Sequence, residues 1–222
     1  MRTIIKRIVP TIVLTTFCGF AATSGSPKPT SFNGAILVMY KVVIGHPFSA
    51  QKTVIETVKP PLPDSLSSTR TYSVYRDSQG RTVTTPAEAS SGYNPDLIEF
   101  DDPVSGFWYV LDTARHIAHR SKMPQPLTRP AQRTGPESQD LGSQYMFGVL
   151  VNGSRAWAAG GLSLESWISP DLQLRVYSHQ LQQQGERIEQ ITNLQLTEPP
   201  ATLFQIPTGF TVVDETEPFS IK

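Results

Sequence analysis

Apolar and polar residues alternate along most of the chain, and turn residues interrupt the alternation about every 8 to 12 positions. The stretch 48–58 alternates in this way, as do 72–76 and 81–85. The last two flank Asp77-Ser78-Gln79-Gly80, a polar turn whose glycine can adopt a positive φ. Alternation with a period of two residues therefore predicts antiparallel strands, and these two form a hairpin.

The same alternation predicts six more strands. They cover 107–112, 116–120, 145–152, 162–168, 172–178 and 187–196. No long amphipathic helix is indicated, and the best helical segment is one turn at 200–204. The apolar run 35–44 fits a buried strand or a helix, and its β-branched residues favour a strand. We therefore predict a mainly β protein with a curved antiparallel sheet or half-barrel.

Three segments rich in proline or small polar residues predict long loops between the strands. They are Lys59–Ser68, Pro86–Pro95 and Ser121–Asp140. The third is too long for an ordinary connection, so we predict a flexible loop or a functional flap at 121–140. Residues 34–222 are then expected to form a single β-rich domain, because a chain of this length needs no second core.

The first 24 residues have the layout of a secretory signal peptide. Three basic residues, Arg2, Lys6 and Arg7, precede the apolar stretch 8–22. Small residues follow, so cleavage is predicted after Ser24 and a flexible leader over 25–33. We therefore expect export to the periplasm or the extracellular space, without a transmembrane segment in the mature chain.

Loss of the signal peptide would change both the charge and the cysteine content. The chain has 19 basic and 19 acidic residues, and the mature part keeps 16 basic against 19 acidic, a net charge of −3. A slightly acidic surface argues against nucleic acid as a partner. Cys18, the only cysteine, would leave with the signal. Lipid anchoring at Cys18 is disfavoured, because that modification needs a small residue where bulky Phe17 stands.

No residue pattern predicts catalysis, a cofactor or a metal site. His116 and His119 point to opposite faces if their segment is a strand, and no third ligand is in view. Asp101, Asp102 and Asp112 could meet across a hairpin, but an aspartate before proline more often starts a turn. Neither a nucleophile elbow nor a phosphate-binding glycine loop is present. We predict a non-enzymatic protein.

Aromatic residues give the best candidates for a binding site. Phe107-Trp108-Tyr109 places large rings on both faces of one predicted strand, and Trp157 and Trp167 lie in or beside others. A sheet that is apolar on both faces needs cover on both. The second face could close as a core or hold an apolar ligand in a cavity. Trp108, Trp157 and Trp167 are therefore predicted to line such a cavity.

Two parts of the sequence resemble known families. The closing segment 194–210, with Pro199-Pro200, Phe204, Pro207 and Gly209, is similar to the end of the periplasmic lipoprotein-carrier (LolA-like) superfamily. The segment Trp167–Gln173 is also similar to it. The mature chain resembles a group of uncharacterised exported bacterial β-rich proteins, which share the Tyr75–Arg81 hairpin and the Asp102–Gly106 turn.

The carrier resemblance implies a half-barrel whose concave apolar face holds acyl chains or an apolar peptide. This chain departs from the carrier pattern because it lacks the amphipathic helices that cover the cavity, although the 121–140 loop could replace them. We therefore expect binding of an apolar ligand, a lipid or a lipidated partner in a concave sheet. The alternative is a structural or sensory envelope module that acts through protein–protein contacts.

Overall fold

The computed structural model describes residues 42–60, 64, 67–87, 97–123, 138–158, 161–216 and 221. The predicted signal peptide (1–24), the leader (25–33) and residues 35–41 of the apolar run lie outside the described residues. Val42, Val43 and Ile44 are described and belong to no strand, so the strand predicted for this run does not include them.

Twelve strands and one short 3-10 helix make up the described fold. In chain order they are β1 (Phe48–Val58), β2 (Ser68–Arg76), β3 (Thr82–Pro86), β4 (Leu97–Asp102), β5 (Phe107–Asp112), β6 (Ile117–Lys122), β7 (Ser138–Met146), β8 (Val149–Ala158), β9 (Leu162–Ser169), β10 (Leu174–Gln182), β11 (Gly185–Gln195), the 3-10 helix (Ala201–Phe204) and β12 (Thr211–Asp214). The mainly β prediction is confirmed.

All twelve strands belong to one curved, unclosed sheet in the order β12-β6-β5-β4-β3-β2-β1-β11-β10-β9-β8-β7. Two antiparallel meanders, β1–β6 and β7–β11, join where β1 pairs with β11. Strand β12 returns to the far edge and runs parallel to β6. The predicted curved antiparallel sheet is therefore confirmed, with this one parallel pair at its edge.

The β2–β3 hairpin forms at the predicted turn. The carboxylate of Asp77 accepts hydrogen bonds from the backbone N–H groups of Gln79 (3.0 Å) and Arg81 (2.9 Å) and from Arg81 Nε (2.6 Å). Gly80 has φ of 85°, and a Cβ at this position would lie 2.8 Å from Val42 Cγ1. Turn chemistry and the close approach of Val42 together require glycine there.

The segment 145–152, predicted as one strand, is instead a hairpin. Strand β7 ends at Met146 and β8 begins at Val149, with Phe147 (φ 50°) and Gly148 (φ 85°) between them. Two consecutive positive φ values are typical of a type I′ turn, whose twist matches that of paired strands. The single-strand prediction was wrong because phenylalanine rarely occupies the first position of such a turn.

The loop predicted at 121–140 is shortened at both ends by its flanking strands. Ser121 and Lys122 belong to β6, and β7 begins at Ser138. Residues 124–137 lie outside the described residues. In addition, no strand was predicted for 97–102, where β4 forms between β3 and β5.

Buried apolar side chains form two clusters. The first, where the meanders meet, comprises Phe48, Ala50, Val149, Val151, Leu172, Val176 and Ile191. The second comprises Val83, Phe100, Tyr109, Leu111, Ala118 and Phe204. Leu203, Ile206 and Phe210 pack against the second cluster. The segment 203–210 therefore covers one face of strands β3–β6, and this leaves the opposite face for a site.

Candidate functional site

A cavity of about 310 Å³ lies where the two meanders meet. Most of the exposed area of its wall is apolar. The lining residues come from both halves of the sheet: Val42, Val43, Phe48, Lys52, Val74, Arg76, Gly80, Thr82, Asp101, Pro103, Met123, Gln173, Leu174, Arg175, Glu189 and Ile191. A volume near 300 Å³ is at the lower end of the range for small-molecule sites.

One row of paired residues crosses the sheet and forms part of this wall. Phe48 on β1 is opposite Arg76 on β2, Arg76 is opposite Thr82, and Thr82 is opposite Asp101. Directly opposed residues of antiparallel strands share a face. The next residues along each strand, such as Val83 and Phe100, point the other way into the second cluster. The cavity therefore lies on the face opposite the 203–210 segment.

Arg76 is the most buried charged group of the wall, with 5 % of its surface exposed. Its Nε donates a hydrogen bond to the carbonyl oxygen of His46 (2.9 Å), and its guanidinium carbon lies 4.8 Å from the centre of the Phe48 ring. The buried Nη2 has no hydrogen-bond partner among the described residues. Burial lowers the pKa of Arg76 to about 10, so the group stays charged at neutral pH.

Asp101 is the second unusual group of the wall. Burial raises the pKa of Asp101 to about 6, and the repulsion from Glu99 acts in the same direction. The hydroxyl of Thr82 donates a hydrogen bond to Asp101 Oδ2 (3.0 Å), which partly opposes this rise. At neutral pH the carboxyl is thus ionised in a poorly solvated place.

The substitution Asp101→Asn is expected to raise stability at neutral pH and to flatten its pH dependence. Because the pKa of Asp101 rises from 3.8 to about 6 on folding, the folded state keeps a proton that the unfolded chain releases. The stabilisation of the folded wild type by this retained proton is complete below a pH of about 4 and is lost as the pH rises through about 6. The difference between the two pKa values corresponds to a change in stability of at most about 3 kcal/mol.

Urea unfolding of the wild type and of Asp101→Asn, from a pH of about 4 to neutrality, measures how the free energy of unfolding depends on pH. Asp171→Asn, at an exposed turn position, serves as the control and should leave the pH profile unchanged. A wild-type profile that stays flat over this range would contradict the assignment to Asp101.

The other charged side chains of the wall differ in how they are paired. Glu189 accepts a hydrogen bond from Arg187 Nε at 2.8 Å, and Arg187 Nη2 lies 2.6 Å from the same oxygen. The ammonium of Lys52 lies 5.1 Å from the centre of the Tyr72 ring. Arg175 Nε is buried and has no hydrogen-bond partner among the described residues. The wall therefore contains two arginines, Arg76 and Arg175, with an unused buried N–H.

The described part of the chain contains no group of three or more metal-ligating side chains. His116 lies in a turn with its ring 5.4 Å from that of Phe210, whereas His119 Nδ1 is 2.7 Å from Glu215 Oε1. Asp112 is buried and binds Arg115, with Nη1 to Oδ2 at 2.7 Å. These pairings tie turns and edges of the sheet together. Among the described residues, no helix has the length and apolar character needed to cross a membrane.

The fold has relatives among solved structures. An uncharacterized conserved protein from Thermus thermophilus aligns with a TM-score of 0.50 at 11% identity, over 77% of this chain and 91% of that chain. A LolA superfamily protein from Nitrosomonas europaea aligns with a TM-score of 0.38 at 10% identity, over 72% of this chain and 90% of that one.

The MucA/MucB complex of Pseudomonas aeruginosa provides a third match, with a TM-score of 0.45 at 14% identity, over 75% of this chain and 58% of that chain. At 11% identity, the similarity to the Thermus thermophilus protein concerns the fold alone. No protein-family model matches the sequence, and no curated protein matches it.

The three predicted tryptophans lie in different parts of the sheet, and none is among the lining residues of the cavity. Trp108 on β5 is opposite Asp101, so it shares the cavity face one strand beyond the wall. Trp157 on β8 is 43 % exposed. Trp167 on β9 packs against the first cluster and lies over Gly153, where a Cβ would be 2.6 Å from its ring. A role of these rings in ligand contact stays a prediction.

The prediction from sequence missed the two arginines. Arg76 has the same alternation phase as Tyr72 and Val74, which is a signal that a charge shares a face with apolar side chains. The corresponding signal for Arg175 is hidden, because a β-bulge between Arg175 and Tyr177 interrupts the alternation of β10.

Proposed function

We propose that this is an exported, non-catalytic protein that binds an apolar ligand, a lipid or a lipidated partner in the cavity between its two meanders. One observation carries the proposal: a cavity of about 310 Å³ whose wall is mainly apolar and is built from both halves of a curved sheet. Concave, mostly apolar cavities with a few polar groups are typical of ligand-binding sites.

The chemistry of the wall supports binding over catalysis. The described lining contains no histidine, cysteine or serine. Its carboxyl group with a raised pKa, Asp101, is hydrogen-bonded to Thr82 and faces no activated nucleophile among the described residues. Acid–base catalysis needs two groups with separated pKa values aimed at a common point.

Binding can be tested with a fluorescent fatty-acid probe and with mass spectrometry of organic extracts from protein purified from its native envelope. The substitution Val74→Phe adds volume to the cavity wall and is expected to weaken probe binding about tenfold. Val212→Phe, at an exposed position of β12, is the matched control and should bind as the wild type does. The proposal would be refuted if the wild type carried no lipid and also failed to bind the probe.

A second candidate is an envelope module that acts through protein contacts. The edge formed by β7 and β8 favours it, because large apolar side chains are exposed there: Tyr145, Phe147, Leu150 and Trp157. Exposed apolar groups at an open sheet edge are typical of contact sites. Crosslinking in intact cells decides between the two, since a specific protein partner together with an empty cavity supports this candidate.

A further inference from the structure

We propose that the ligand of the cavity is an anionic single-chain amphiphile, whose carboxylate or phosphate head is bound by the guanidinium of Arg76. This inference rests on the function proposed above and names the chemical class of its ligand. The apolar chain of the ligand would lie along the aliphatic part of the wall, which includes Val74, Leu174 and Ile191.

Arg76 is positioned as a binding group and forms no salt bridge with any of the described residues. The Phe48 ring and the His46 carbonyl hold its guanidinium in place, and Nη2 is left buried without a partner among the described residues. A buried cation without an anion destabilises a fold, because it has lost water and gained no opposite charge. An oxyanion that enters the cavity would supply both a charge and hydrogen-bond acceptors, and the planar guanidinium fork matches such a head group.

Arg175 provides a second unused donor on the same cavity. It reaches the wall from β10, in the other meander, and its buried Nε also has no partner among the described residues. Neither arginine forms a salt bridge with the carboxylates of the wall that the structure describes. Glu189 is paired with Arg187, and Asp101 accepts from Thr82. The two meanders therefore each bring one incompletely paired guanidinium to the same cavity.

The size of the cavity favours a ligand with one chain. A volume of about 310 Å³ is at the lower limit for small-molecule sites. A lipid with two acyl chains would need more apolar wall than the described cavity offers. A single chain with a charged end matches a wall whose exposed area is mainly apolar and which carries Arg76 and Arg175 beside Asp101 and Glu189.

The test compares ligands that share a chain and differ in the head group. Isothermal titration measures the binding of dodecanoate and dodecyl phosphate below their critical micelle concentrations, of 1-dodecanol below its solubility limit, and of inorganic phosphate. The wild type is expected to bind the two charged amphiphiles about tenfold or more tightly than 1-dodecanol. Inorganic phosphate is expected to bind far more weakly than dodecyl phosphate, because it lacks the chain.

Arginine variants assign the preference to a residue. Arg76→Gln is expected to reduce the affinity for the charged amphiphiles to that for 1-dodecanol, and to leave 1-dodecanol binding unchanged. Arg175→Gln is expected to cause a smaller loss of the same kind. Arg155→Gln, on β8 and paired with Glu165 away from the cavity, is the matched control and should bind as the wild type does. Circular dichroism confirms that each variant is folded.

The outcomes separate the inference from the proposed function. Equal affinity of the wild type for dodecanoate, dodecyl phosphate and 1-dodecanol would overturn the inference and still support an apolar binding site. Equal affinity for inorganic phosphate and dodecyl phosphate would overturn the amphiphile and indicate a free-anion site. If none of the chain-bearing ligands binds the wild type, the proposed function itself fails.

Discussion

Replacing Asp77 with alanine is expected to lower the free energy of unfolding by about 3–5 kcal/mol. Asp77 is 2 % exposed, and its carboxylate accepts three hydrogen bonds, two from backbone N–H groups and one from Arg81 Nε. Alanine would leave these donors without acceptors. It would also remove the counter-charge of Arg81, whose guanidinium carbon lies 5.2 Å from the centre of the Phe204 ring.

A second substitution separates the contribution of the negative charge of Asp77 from that of its hydrogen bonds to the turn. Asp77→Asn keeps an oxygen acceptor for the turn and loses the charge, so an intermediate loss of stability is expected. Gln79→Ala, at an exposed position of the same turn with no side-chain hydrogen bond among the described residues, is the control and should change stability by less than about 0.5 kcal/mol. Urea unfolding monitored by tryptophan fluorescence measures all three. A loss below about 1 kcal/mol for Asp77→Ala would show that the hairpin does not depend on this carboxylate.

Phe204→Ala is also expected to lower stability by about 3–5 kcal/mol. Phe204 is 3 % exposed and is the member of the second cluster that comes from the 3-10 helix. Truncation leaves a cavity between this segment and strands β3–β6, and the rigid sheet below can fill it only partly.

The change should also loosen the edge strand β12, which follows the 203–210 segment and pairs with β6. Amide hydrogen exchange is therefore expected to speed up in β12 more than in β10 or β11. Thr202→Ala, an exposed position in the same 3-10 helix, is the control for helix propensity. If Phe204→Ala lowers stability by the expected amount and hydrogen exchange in β12 does not change, then β12 is held only by its pairing with β6.

The parts of the fold that follow from local chemistry could be predicted from the sequence. Asp77 and Gly80 define their hairpin because turn residues act on their immediate neighbours. The helical turn near Phe204 and most strands were predicted for the same reason. The β7–β8 turn was missed because Phe147 adopts a positive φ that only its pairing partners impose.

The site depends on contacts between residues that are far apart in the chain. Arg76 and Arg175 line one cavity only because β1 pairs with β11, and no local pattern encodes that pairing. The sequence analysis selected Trp108, Trp157 and Trp167 because aromatic residues can be identified from the sequence without knowing their neighbours in the fold. Whether a buried N–H group has a hydrogen-bond partner depends on the positions of all its neighbours in the fold, and these positions cannot be read from the sequence.

Strand β1 pairs with strands from both ends of the chain. Nine residues separate it from its partner β2, whereas Thr53 must also find Gln190 in β11. Each meander can grow by adding neighbouring hairpins, but the seam between β1 and β11 closes a loop of more than half the chain and is expected to form late. Because the cavity has walls from both sides of this seam, it is expected to be complete only in the last step of folding. Ligand binding would then distinguish fully assembled molecules from those in which both halves are folded and the seam is still open.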